Sequence, residues 1–348
     1  MLKYIFLLLL SSISFSQNSN YDFSGMQKFW EIVDILKTNK EPANSEWNEL
    51  FNTPGYKVLT SGEFTRQFFI ENFKLVFMPS QRNELNEALK NGKNLNHLTH
   101  FIKVRDNRKI ISDQQSKLMA NNFSQTAVKR TLEFLPQSNV DQLPPVSFVI
   151  FENNGRGSSP IVVDLCASLE WDFMSFLSHE FHHWYRNRQV QINYNKVSED
   201  DEILINALAK IEAEGIADMV DKRDWFTKSS KSISIYAKQF INDVGNSPYV
   251  INKMDEYLSG LNSNLKNIKV IGRNLLEVLP QQGHTTGYFM ASLILEKEGK
   301  NEIVKCVGNP FKFIHLYNSA AKKSNNRYPQ FSNKSIENLE ILEKKFSK

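Results

Sequence analysis

MSFLSHEFHHWYRNR, residues 174–188, places His179, Glu180 and His183 in the spacing H-E-x-x-H. On a helix, residues four apart lie on one face, so both imidazoles can reach one metal ion. Glu180, next to the first His, sits beside such an ion, where it can take a proton from an activated water. Phe173, Leu177 and Phe181 recur at a spacing of four and give the segment an apolar side, which predicts a buried helix. Chance would produce this motif somewhere in a chain with seven His at a probability on the order of 1%. Three of the seven His fall between 179 and 183, inside a helical pattern, which lowers it further.

Two imidazoles do not complete a catalytic zinc site; a third protein ligand is required, with one position left open. The metzincin pattern would need Gly and His where this chain has Arg186 and Gln189, so that option fails. A later carboxylate is the other option. ALAKIEAEGIADMVDK (207–222) offers Glu212, Glu214, Asp218 and Asp221. Glu214 and Asp218 share a helix face, and Ala213, Gly215 and Ala217 around them let another helix approach closely. A Gly there costs about 0.5–1 kcal/mol relative to Ala, a poor choice for a solvent-facing helix. Glu214 is expected as third ligand and Asp218 as the acceptor orienting a ligating imidazole. Glu212 points nearly the opposite way, so it cannot bind the same ion.

Outward from these two segments the chain reads as mainly helical. FSGMQKFWEIVDILK, SEWNELF, SGEFTRQFFIENFKLVF and TAVKRTLEFL all carry apolar residues three and four apart. The character changes near Pro144 and Pro145. VSFVIF (146–151) and PIVVDLC (160–166) give the clear strand signal, predicting a hairpin or small sheet. GRGSS between them lacks the Lys-Ser/Thr ending of a phosphate loop and opens no helix, so it reads as a flexible turn. The expected fold class is mainly α, α+β: a helical N-terminal region (17–143), then a zincin-like catalytic region (144–348) with a small β-sheet and an active-site helix.

HEFHH followed by EGIAD resembles the gluzincin peptidases, which pair H-E-x-x-H with a later E-x-x-x-D helix. More narrowly, it resembles bacterial zinc-dependent peptidases of unknown substrate with the same arrangement. The likeness covers roughly 146–224, with a weaker echo around His284. It implies that His179, His183 and Glu214 bind zinc, that Asp218 supports a ligand, and that the strand 160–166 lines the substrate cleft. Thirty residues separate His183 from Glu214, more than in the best-known gluzincins, and the aminopeptidase element G-x-M-E-N has no counterpart.

QQGHTTGYFMASLIL (281–295) puts His284 and Tyr288 four apart at the start of an apolar helix. Either could donate to the oxyanion of a tetrahedral intermediate, and both are carried as catalytic candidates beside Glu180. The competing reading has His284 capping a helix and Tyr288 packing in the core. His182 reads as a packing or supporting residue. His97, His100 and His315 lack ligand spacing and read as surface or satisfied core residues.

A net charge of +4, from 42 basic and 38 acidic residues, is too small over 348 residues to argue for nucleic acid. MLKYIFLLLLSSISFSQ (1–17) has the positive start, short apolar run and small residues of a signal peptide, with cleavage expected after Ser16. No later stretch approaches the ~20 apolar residues of a spanning helix. The expectation is an exported protein, periplasmic or extracellular. Cys166 and Cys306 could pair or remain buried thiols. With only two cysteines, any zinc site must rely on His and carboxylate. The expected function is a zinc (Zn2+) peptidase acting on a peptide or protein substrate, with Glu180 as general base. Two alternatives stay open: a non-catalytic helical binding protein braced by a metal, and a zinc hydrolase acting on a non-peptide amide or ester.

Overall fold

The computed structural model describes residues 20–348 apart from 122, 137–141, 171, 228–233, 262–263 and 326. The segment 1–16, expected to be a signal peptide, lies outside the described residues. As the sequence predicts, the fold is mainly α with a small sheet. The helices expected over 23–37, 45–51 and 61–77 appear as Ser24–Leu36, Asn44–Phe51 and Arg66–Phe77.

The sheet has four strands: β1 (Tyr21–Asp22), β2 (Val146–Val149), β3 (Gly155–Arg156) and β4 (Ile161–Asp164), in the order β1-β2-β4-β3. The two strong strands do not form a hairpin with one another. β2 and β4 run parallel, Val146 opposite Ile161 and Val149 opposite Asp164. The antiparallel partner of β4 is β3, drawn from the stretch expected to be a flexible turn. Every residue of β2 and β4 is buried, which explains their continuous apolar runs: a strand covered on both faces has no polar side to alternate with.

β1 pairs with β2, so the N-terminal segment closes one side of the sheet. The N-terminal helices pack through a ring cluster in which Phe73 meets Phe29 and Phe101 edge-on at 5.1 and 5.0 Å. Two buried polar contacts tie these helices to the sheet. The Tyr56 hydroxyl donates to the Ile150 carbonyl at 2.8 Å, and His100 Nε2 meets Asp164 Oδ2 at 2.9 Å. His100 is thus a satisfied core residue. Cys166 and Cys306 are separate buried thiols. Among the described residues no helix is long and apolar enough to cross a membrane.

Two helices that pack on one another carry the motif segments. The motif helix, Phe173–Asn187, is capped by Asp172, whose carboxylate accepts from the Ser175 amide at 3.2 Å. The ligand helix, Glu199–Asp221, opens on a Ser198/Asp201 capping box and four acidic residues that complement its positive end. Arg186 and Glu212 join the two through a buried ion pair, Nε to Oε2 at 3.0 Å, and Glu212 Oε1 also accepts the Gly308 amide at 2.9 Å. That pairing turns Glu212 away from Glu214.

A candidate metal centre between two helices

The motif helix brings His179 and His183 onto one face, and the ligand helix presents Glu214 to them. His179 Nε2 and His183 Nε2 are 2.9 Å apart. Glu214 Oε2 lies 3.0 Å from His183 Nε2 and 3.3 Å from His179 Nε2. Metal–ligand arms of 2.0–2.1 Å in a tetrahedron give edges of about 3.3 Å, close to these three separations. The chemistry of the set also fits. His179 turns Nδ1 toward carboxylates, so its neutral form aims the Nε2 lone pair at His183 Nε2 and at an anionic oxygen. Such a convergence of electron pairs suits a cation at its centre. The donors present therefore fit zinc, which His179, His183 and Glu214 would hold.

Behind the donors lies a stripe of acids on the ligand helix. Asp221 Oδ1 is 3.1 Å from His179 Nδ1, nearer than Asp218 Oδ1 at 3.4 Å. Asp218 sets both oxygens against His284 Nδ1, at 3.0 and 3.1 Å, so it faces two imidazoles at once. The buried Lys222 ammonium bonds Asp218 and reaches Asp221 at 3.0 Å, while Trp225 and Phe240 cover it with their rings at 5.7 Å. Sequence reasoning named Asp221 only as one of four acids and missed Lys222. The signal was available: Glu214, Asp218 and Asp221 follow the i, i+4, i+7 pattern of one helix face, and Lys222 falls four after Asp218.

His284 reaches the cluster from a third helix, His284–Lys297, with Nε2 3.3 Å from Glu214 Oε2 and its ring nearly parallel to His179. The approach depends on two glycines. A Cβ on Gly287 would stand 2.2 Å from the Ile211 carbonyl oxygen, and one on Gly215 would stand 2.4 Å from the Gly287 carbonyl carbon. The helices cross backbone to backbone, as the small residues around Glu214 suggested. Tyr288 goes elsewhere. Its ring stacks on Phe226 at 4.8 Å and meets Phe240 edge-on, and burial pushes its pKa up to about 12.

Glu180 is buried beside His183 and makes no ion pair among the described residues. Gly157 presses against it: a Cβ there would lie 2.7 Å from Glu180 Oε2 and 3.2 Å from His183 Cβ. The GRGSS stretch is therefore a wall of the site. β4 lies between β2 and β3, and it is β3 at the sheet edge that leads into this wall. Beyond Gly157 a cavity of about 230 Å³ opens between Ser158, Ser159, Trp184, Asn187 and Arg188. His182 lies off the cluster, its Nε2 3.3 Å from the Phe134 carbonyl, and burial with the neighbouring His183 holds its pKa well below the usual value.

The charges in the centre follow from this crowding. Burial opposes ionisation of Glu214, but His183, His179 and His284 hold its carboxyl well below the usual range. Burial and Lys222 oppose a charge on His179, yet Asp221 and Glu214 prevail and raise its pKa well above the ordinary value. His284 is raised despite its burial, chiefly by Asp218. A cation must displace the His179 proton before it can use Nε2. Zinc affinity should therefore rise with pH, by about tenfold per pH unit for each proton displaced while His179 remains charged. Competition titrations against a chromogenic chelator at pH 6, 7 and 8 check this; a pH-independent dissociation constant would count against His179 as a ligand.

The fold and centre together define a mainly helical protein in which an H-E-x-x-H helix and a carboxylate helix converge on one three-donor cluster. The chain belongs to the family described as "Putative zinc dependent peptidase (DUF5700)", whose model matches residues 47–326. No curated protein and no solved structure matches it.

Proposed function

We propose that the protein is a zinc peptidase, with the ion held by His179, His183 and Glu214. The reading rests above all on the mutual 2.9–3.3 Å spacing of their three donor atoms beside the Glu180 carboxylate. Zinc in such a set supplies Lewis acidity, polarising a carbonyl and lowering the pKa of a coordinated water toward ~7. Glu180 takes a proton from the attacking water and passes it to the departing amine. His284, braced through Nδ1 by Asp218, directs Nε2 into the centre and donates to the carbonyl oxygen as it gains charge. His284 suits this role better than Tyr288, whose ring packs against Phe226 and Phe240. Asp221 and Asp218 fix the His179 ring, and Lys222 balances the two acids. The wall at Gly157 and the cavity beyond it accommodate the substrate chain next to Glu180. The proposal includes export, on the strength of the 1–16 segment.

The test pairs metal analysis with cleavage. Purified protein should carry about one zinc per chain and hydrolyse a labelled unfolded protein. Chelation should stop hydrolysis and added zinc restore it, while His183→Ala should arrive metal-free and inactive. Cleavage that survives chelation, or full zinc occupancy in His183→Ala, would overturn the reading.

A further inference from the structure

Gln281, Gln282 and Gly283 immediately precede His284, and all three have positive φ: 47°, 56° and 102°. Among the described residues six non-glycine positions lie in this region, and three of them are Asn, which tolerates it. Gln281 and Gln282 are the only adjacent pair. Glutamine has no local hydrogen bond to offset the crowding of its Cβ, so such a run persists only where its surroundings hold it.

The surroundings do so from two sides. Gln281 Nε2 donates to Asp243 Oδ2 at 2.9 Å, and the Tyr236 hydroxyl donates to Gln281 Oε1 at 3.4 Å; both partners belong to the helix Ile235–Gly245. On the other side Lys210, one turn before Glu214 on the ligand helix, donates to Gln282 Oε1. Gly283 then seats against Ile211 of that same helix, where a Cβ would come within 3.2 Å of Ile211 Cγ1. The next residue is His284, whose imidazole is delivered to Asp218 and Glu214. The turn is thus referenced to the helix that carries Glu214, and it ends on the side chain that must meet that helix's acids.

We propose that the left-handed turn at Gln281–Gln282–Gly283 is a positioning device for His284, with Gln281 and Gln282 as positioning residues acting through it. The inference rests on the role given above to His284. Glycine occupies this backbone region without strain but provides neither side-chain tie. The double variant Gln281→Gly/Gln282→Gly should therefore keep its Tm or gain a little, keep its zinc and keep its KM. Its kcat should fall about 10-fold to 100-fold as the imidazole loses its aim. Asn94→Gly, which changes a positive-φ residue in the N-terminal region, should leave kcat unchanged.

A second readout needs no activity. In zinc-loaded protein with 15N-labelled histidine, the downfield Nδ1–H proton of His284, assigned by its loss in His284→Gln, should be present in the wild type and exchange-broadened in the double variant. An unchanged proton signal in the double variant, or a kcat loss matched by a fall in Tm, would overturn the positioning role. A wild type without hydrolysis but with that signal lost in the variant would fault the peptidase reading while leaving the turn's role intact.

Discussion

Glu180→Gln should lose hydrolysis by about 10²–10⁴-fold in kcat while retaining the zinc content and Tm of the wild type. The substitution preserves shape where shape is constrained: the Gly157 backbone packs against the Glu180 carboxylate, and a single added carbon on Gly157 would lie 2.7 Å from Oε2. The amide fits the same space but cannot accept the proton that the attacking water must shed. Glu180 is not one of the three converging donors, so the ion should remain. At 1.36 kcal/mol per tenfold, the loss corresponds to about 3–5 kcal/mol of transition-state stabilisation. Zinc analysis and steady-state kinetics on one preparation would measure it. Hydrolysis within a few-fold of wild type would remove Glu180 from the mechanism and favour a metal that only braces two helices.

The second large effect is expected two residues before the third donor. Glu212→Ala removes the acceptor of the Arg186 guanidinium and of the Gly308 amide, leaving a buried cation without its partner. Breaking a buried pair from one side costs about 3–5 kcal/mol. For a chain of this size that amounts to a Tm drop of roughly 4–7 °C, measurable by calorimetry. Zinc stoichiometry below that transition should be unchanged, because Glu212 faces away from the cluster. Glu214→Gln should give the opposite pattern, with metal lost. Equal stability in Glu212→Ala would mean that Arg186 finds water or another acceptor.

This pair shows why the candidate centre was largely legible in the sequence. Glu212 and Glu214 lie about 200° apart on a helix, so only one can face His179 and His183, and the small residues around Glu214 mark the side where another helix comes close. Local periodicity carries that information because a helix is a rigid ruler. The acid stripe Glu214, Asp218 and Asp221 obeys the same ruler, and extending it one more turn would have brought Asp221 in beside Asp218.

What the ruler does not measure is the approach of segments distant in the chain. GRGSS has the composition of an exposed turn, and nothing local says that Gly155 and Arg156 join β4 as its edge strand or that Gly157 meets Glu180. VSFVIF and PIVVDLC announce two buried strands but not their parallel pairing, since a doubly covered strand has no alternation from which direction or neighbour can be inferred. His284 and Tyr288 are equivalent candidates by spacing. Tertiary packing separates them, sending the imidazole to Asp218 and the phenol to Phe226. The residues of the H-E-x-x-H helix, its acidic partner helix and the fold class were determined within single segments, by helical geometry. The closure of the site was decided only where backbones from different segments touch, at Gly157, Gly215 and Gly287, because close packing depends on shape across a contact and each chain segment encodes only its own half.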